Sequence, residues 1–187
     1  MDPAAPSTSL ASPRRRGILQ GIGAAGLVAL CPDVIKAAAR DRWVAFHCPR
    51  LGETLRVVYW TPTEGYVPES MEEISQVFRD HYDDSAIPID PRLIDQLFAL
   101  QMALQPRMPI HITSGYRSPA TNARLRRRNR RVAPNSFHMY GRAVDLRLED
   151  IPVQRLHRAA LALKAGGVGY YPRAAFIHMD TGPVRHW

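Results

Sequence analysis

The run Ser136-Phe137-His138-Met139-Tyr140-Gly141-Arg142-Ala143-Val144-Asp145-Leu146-Arg147-Leu148 changes character at Ala143. From there Val144, Leu146 and Leu148 alternate with Ala143, Asp145 and Arg147, the period of a strand with one face on a core. That period puts Asp145 on the face opposite the apolar set. His138 precedes the strand, and Gly141 lets the chain turn between them. An imidazole and a carboxylate can therefore converge above the sheet. A second run, Phe176-Ile177-His178-Met179-Asp180, repeats the pattern. Ile177 and Met179 face one way, while Phe176, His178 and Asp180 face the other. Unpaired polar groups on a hydrophobic strand are costly, so these four side chains call for a ligand or a shared network.

Outward from these runs the chain reads as alternating short elements. Thr54 to Trp60 is rich in β-branched and aromatic residues and reads as a strand, with Trp43 to Phe46 as its partner. Residues 69–82 have a helical stripe of Ile74, Val77, Phe78 and His81. Asp90-Pro91 is a helix start, followed by Leu93, Ile94, Leu97, Leu100 and Leu104 and a stop before Pro106. Ile110 to Thr113 is a short strand leading into Ser114-Gly115-Tyr116-Arg117, and Pro119 to about Arg131 is helical. Another helix is expected from about Pro152 to Ala165. Short strands at Val168–Tyr171, Phe176–Asp180 and Val184–Trp187 finish the chain. Two early helices and a late sheet give an α+β domain, with a small antiparallel sheet carrying the site and several helices packed against it.

The 187 residues fit one domain plus a leader, and 45% hydrophobic with 22% charged residues is ordinary for a globular chain. A domain of that size folds without a structural metal, so a metal here would serve chemistry. The leader is residues 1–39. Arg14-Arg15-Arg16, a short apolar segment and the small-residue run Ala37-Ala38-Ala39 follow the order of an export signal. The apolar part is short for a membrane span. Arg15-Arg16-Gly17-Ile18-Leu19 resembles a twin-arginine signal, which implies the twin-arginine export machinery as a partner and a periplasmic destination. Cys31 follows Leu30, too bulky for a lipidation box. Cleavage near Ala39 leaves Cys48 alone, so no internal disulfide is expected.

The net charge of +8 favours an anionic partner. Six arginines, Arg124, Arg126, Arg127, Arg128, Arg130 and Arg131, lie within eight residues. They form either a solvated helix face or a docking patch for an acidic polymer. No interleaved aromatics or nucleic-acid module accompany them, so nucleic acid is not the expected partner.

Three ligands of His and Asp type with one coordination place left for water are the pattern of catalytic zinc, which polarises a carbonyl and acidifies bound water. Asp180 is then either the base for that water or a carboxylate that orients a ligand histidine; an exchange of Asp180 for His178 as ligand is the third arrangement. A single histidine on a strand is most often structural. Two histidines and two aspartates on polar faces are not so easily explained. His47, His81, His111, His157 and His186 have no such company. Tyr170 and Tyr171 either pack or line a cleft. Ser114 and Ser136 lack the Gly-x-Ser-x-Gly elbow of a nucleophile.

Ser136-x-His138-x-x-Gly141-x-Ala143-x-Asp145, preceded by Ser114-Gly115-Tyr116-Arg117-Ser118, resembles the zinc D-alanyl-D-alanine peptidases and related murein endopeptidases, the murein endopeptidase K subgroup above all. The resemblance implies a D-Ala-D-Ala peptidase or Hedgehog-like fold over residues 40–187. It implies one zinc ion held by His138, Asp145 and His178, and peptidoglycan as substrate. Arg117 would hold a substrate carboxylate or the tetrahedral oxyanion, with Ser114 and Tyr116 beside it at the substrate. The carboxypeptidase branch places a Glu three residues before its last zinc histidine; here that position is Ala175, and Asp180 follows His178 instead. Cross-link cleavage is thus the leading expectation. Trimming of a terminal D-alanine, or a non-catalytic wall-binding module of the same fold, are the rivals, and no oligomeric state is implied.

Overall fold

The computed structural model describes residues 40–187, so the expectations for the leader lie outside the described residues. The strands are β1 (Arg42–Cys48), β2 (Glu53–Thr61), β3 (Gly65–Tyr66), β4 (Ile110–Ser114), β5 (Ala143–Arg147), β6 (Gly167–Tyr171), β7 (Phe176–Asp180) and β8 (Arg185–His186). The α-helices are α1 (Pro68–Val77), α2 (Pro91–Leu104), α3 (Pro119–Arg128) and α4 (Val153–Leu163). The α+β class expected from sequence holds. The sheet is larger than the late segment alone, because the early hairpin joins it in one eight-stranded order, β3-β2-β1-β4-β5-β7-β6-β8. Two of its pairings, β1 with β4 and β6 with β8, are parallel, so the sheet is mixed.

The helix starts follow from local chemistry. Pro91 occupies the first turn of α2, where a missing N–H costs nothing, and Asp90 accepts from Arg92 N–H at 3.0 Å. Ser118 caps α3 the same way, accepting from Thr121 N–H at 3.2 Å. α2 buries Leu93, Ile94, Leu97 and Leu100 against the sheet residues Val44, Phe46, Ile110 and Ile112. Each such side chain contributes about 1.5–3 kcal/mol on burial.

One early expectation moves. α1 ends at Val77, so His81 is not on its stripe but in the loop beyond, with Nε2 3.3 Å from Thr113 O. That loop is pinned by Asp80, which is 1% exposed and accepts from Ser118 N–H at 2.8 Å and Tyr82 N–H at 2.9 Å. The pinning brings Phe78 against Gly115. A Cβ on Gly115 would fall 2.4 Å from Phe78 O, so only glycine permits this approach.

The centre of the sheet sets the site. β5 pairs antiparallel with β7, with Asp145 opposite His178 and Ala143 opposite Asp180. Val144, Leu146, Ile177 and Met179 point into the core, as the alternation required. The chain reaches β5 from a 3₁₀ turn at Phe137–Tyr140 that ends on Gly141 at φ +64°, where a Cβ would meet Pro88 O at 2.5 Å.

Candidate metal centre and cleft

His138, Asp145 and His178 come together, with one ligand atom from each within 4.8 Å of the others. His138 Nε2 faces His178 Nδ1 at 3.2 Å and Asp145 Oδ1 at 3.3 Å, and His178 Nδ1 lies 2.9 Å from Asp145 Oδ1. All three residues are buried.

Their outer contacts fix the tautomers. His138 Nδ1 lies 2.6 Å from Gly115 O, a carbonyl that can only accept, so this nitrogen carries the proton and Nε2 presents a lone pair. His178 Nε2 lies 3.0 Å from Asp180 Oδ2 and donates to it, which leaves the Nδ1 lone pair facing inward. Two imidazole lone pairs and a carboxylate oxygen thus converge on one point. Such a set repels itself unless a cation sits among it. A tetrahedral ion with bonds of 2.0–2.1 Å has ligand–ligand edges of about 3.4 Å. The three measured separations approach that edge, and the donor set of two nitrogens and one oxygen fits zinc.

The electrostatics favour the ligating form of His138 and Asp145, while His178 is held toward its protonated form by its two carboxylates. Burial, and then the Arg117 charge, push His138 down to about 4, so it is neutral and ready to ligate. Burial would raise Asp145, but His138 and the Arg117 guanidinium outweigh it and hold the carboxyl well below its ordinary range. Burial likewise opposes the charged form of His178, yet its contacts with Asp145 and Asp180 raise it.

Asp180 has 0% exposure and five donors around it. His178 Nε2 and both Arg185 terminal nitrogens, at 2.7 and 3.0 Å, share it with Gly182 N–H at 2.8 Å and Gly167 N–H at 3.2 Å. Burial works to raise it, but these bonds hold it well below the carboxylate range. A carboxylate has about four lone-pair positions. Asp180 is therefore fully engaged by donors, the arrangement of a carboxylate that orients a ligand histidine, one of the roles expected for it.

Arg117 donates from Nε to Ser114 Oγ at 2.8 Å and from Nη2 to Asp145 Oδ2. Ser114 thus holds the arginine. Tyr116 is 8% exposed, gives its backbone N–H to Phe78 O, and lines the smaller of the two hollows beside the site. Two hollows meet at Arg117, Asp145 and Phe176. The larger, of about 560 Å³, runs past Phe137, Arg131, Tyr171, Arg185 and Trp187. The smaller, of about 180 Å³, runs past Arg50, His81, Tyr82 and Tyr116. The cluster lines the larger hollow, and Arg117, Asp145 and Phe176 join it to the smaller one as a second arm.

Several cleft residues carried no sequence signal. Arg185 reaches Asp180 because β8 lies parallel beside β6, with Arg185 opposite Gly167. The Trp187 indole lies over Gly169, with its centroid 5.3 Å from that of His178, and its Nε1–H donates to Tyr171 Oη at 2.9 Å. A glycine on a strand two residues from a tyrosine is the one trace of this in the sequence. Tyr171 lines the cleft, while Tyr170 stacks on His157 at 4.4 Å.

The family described as peptidoglycan L,D-endopeptidase MepK matches residues 36–187. The chain belongs to that family. It is 43% identical over 148 residues to peptidoglycan L,D-endopeptidase MepK of Escherichia coli (strain K12), covering 79% of this chain and 81% of that protein. It is 35% identical over 164 residues to a probable peptidoglycan L,D-endopeptidase MepK of Haemophilus influenzae, covering 86% and 88%. Membership of this family supports the peptidase expected from the sequence, and nothing among these relatives supports the carboxypeptidase rival.

Proposed function

We propose that this chain is an exported, zinc-dependent peptidoglycan L,D-endopeptidase that opens peptide cross-links in the periplasm. The observation that carries the reading is the convergence of three acceptor atoms in the wall of the larger hollow, which meets a second arm at Arg117, Asp145 and Phe176. A terminal residue needs one arm; a bond inside a cross-link has peptide on both sides. The names of the relatives point the same way.

In this reading His138 through Nε2, His178 through Nδ1 and Asp145 through Oδ1 hold the ion. Zinc bound there supplies a Lewis acid and lowers the pKa of bound water to about 7, which reduces the need for a carboxylate base at neutral pH. Asp180 is a positioning residue that fixes the His178 tautomer, as carboxylates behind ligand histidines do. The Gly115 carbonyl does the same for His138. Arg117 steadies Asp145 through Nη2. Its Nη1 makes no hydrogen bond among the described residues, so that nitrogen is free for a substrate carbonyl or oxyanion, the role the sequence implied. Export rests on the twin-arginine resemblance of residues 1–39.

Metal analysis of the purified protein and a digest of defined cross-linked muropeptides test the reading. Near-stoichiometric zinc and conversion of dimers to monomers are expected. Loss of one terminal alanine would mean a carboxypeptidase, and intact dimers with a zinc-loaded protein would mean a wall-binding module.

A further inference from the structure

The charged side chains lining the larger arm do not cancel. Its two carboxylates, Asp145 and Asp180, are buried and consumed by Arg117 and Arg185 respectively. Arg131 lines the same arm and is exposed, and no carboxylate lies within ion-pair distance of it among the described residues. Arg126, Arg127 and Arg128 close the last turn of α3 just before it and deepen the positive potential at that rim. Arg124 is already engaged, its guanidinium 4.0 Å from the Tyr82 ring centre, so the run is not uniform.

The wall of the arm adds a second donor. Tyr171 Oη accepts the Trp187 indole N–H, so its own hydrogen is left to donate. The ring is held by stacking on Phe176 at 4.6 Å. Asn129 and Asn135 line the same arm with amide groups. An unneutralised guanidinium, a hydroxyl with its hydrogen to donate and amides, with no free side-chain acid, are the chemistry of a carboxylate receptor.

We propose that the larger arm is a carboxylate-reading subsite, in which Arg131 with the Tyr171 hydroxyl binds a free carboxylate on the stem peptide beside the bond to be cut. The proposal rests on the endopeptidase reading for its substrate. It gives the enzyme a preference between free-acid and amidated peptidoglycan.

The test uses a synthetic cross-linked stem-peptide dimer with that carboxylate free, and the same dimer with it as a carboxamide. The wild-type protein is expected to favour the acid by roughly 10- to 100-fold in kcat/KM, the strength of a charge-assisted contact. Arg131→Gln, at an exposed position without a partner, should keep zinc content and melting temperature and erase that preference by losing rate on the acid alone. Arg131→Lys should retain part of it. Equal rates on the two dimers in wild type, or a preference that survives in Arg131→Gln, would overturn the proposal. Single-stem peptides in acid and amide form, titrated into the zinc-loaded protein, separate the two ideas. If neither dimer is cut yet binding still discriminates through Arg131, the endopeptidase reading falls and the subsite stands; equal affinities overturn the subsite.

Discussion

Replacing Asp180 by Asn tests how the histidine behind the ion is controlled. The substitution keeps the shape and removes the charge. The remaining carbonyl oxygen can keep the bonds from Gly167, Gly182 and one Arg185 nitrogen, all of which meet Oδ1. The new amide NH₂ then stands where Oδ2 stood, facing His178 Nε2 and the second Arg185 nitrogen. Two donors cannot face each other, so His178 must shift its proton to Nδ1, the atom whose lone pair faces Asp145 and His138. Metal binding in the variant then has to reverse that shift and forgo one charge-assisted bond, a cost of about 1.5–3 kcal/mol. That corresponds to a zinc affinity weaker by roughly 10- to 150-fold. Competition with a chelating dye gives the dissociation constant, and cleavage rates at saturating zinc give the intrinsic activity. The expected result is weakened zinc binding with activity largely recovered at high zinc. An unchanged zinc constant with a fall of roughly 10²- to 10⁴-fold in kcat would refute the reasoning and make Asp180 the proton acceptor after all.

His138→Ala, Asp145→Ala and His178→Ala should each lose bound metal and muropeptide cleavage together, and full activity in any of them removes that residue from the ligand set. Gly115→Ala forces a Cβ within 2.4 Å of a backbone oxygen, so it should cost about 1–3 kcal/mol in denaturant unfolding and weaken zinc through the displaced Gly115 carbonyl. Leu97→Ala, at 0% exposure between α2 and the sheet, should cost about 2–5 kcal/mol while leaving zinc stoichiometry intact. Chelation of the wild-type protein should abolish cleavage, and added zinc should restore it; cleavage that survives chelation contradicts the metal reading.

Strand periodicity was enough to place Asp145, His178 and Asp180 on the cleft face, because each sits between apolar neighbours that must be inside. The helix start at Asp90-Pro91 was legible for a similar local reason, while the Ser118 cap was not read from the sequence. The parallel pairing of β1 with β4, Phe46 opposite Ile110, was not, since it depends on a crossover through α1 and α2 that leaves no mark on either strand. Arg185 escaped notice because it acts across a second parallel pair. Tyr116 was expected beside the substrate and lines the smaller hollow, but the backbone bond to Phe78 in a distant loop that holds it there leaves no mark in its own segment.

The opposition of Asp145 and His178 across β5 and β7 has a further effect during maturation. If β7 slipped by one position, Met179 or Ile177 would stand over the cleft and the imidazole would turn inward. A chain that docks β7 out of register on β5 would therefore not bring the three ligand atoms together. Metal binding would then report on the register of the central sheet as well as on the ligands themselves.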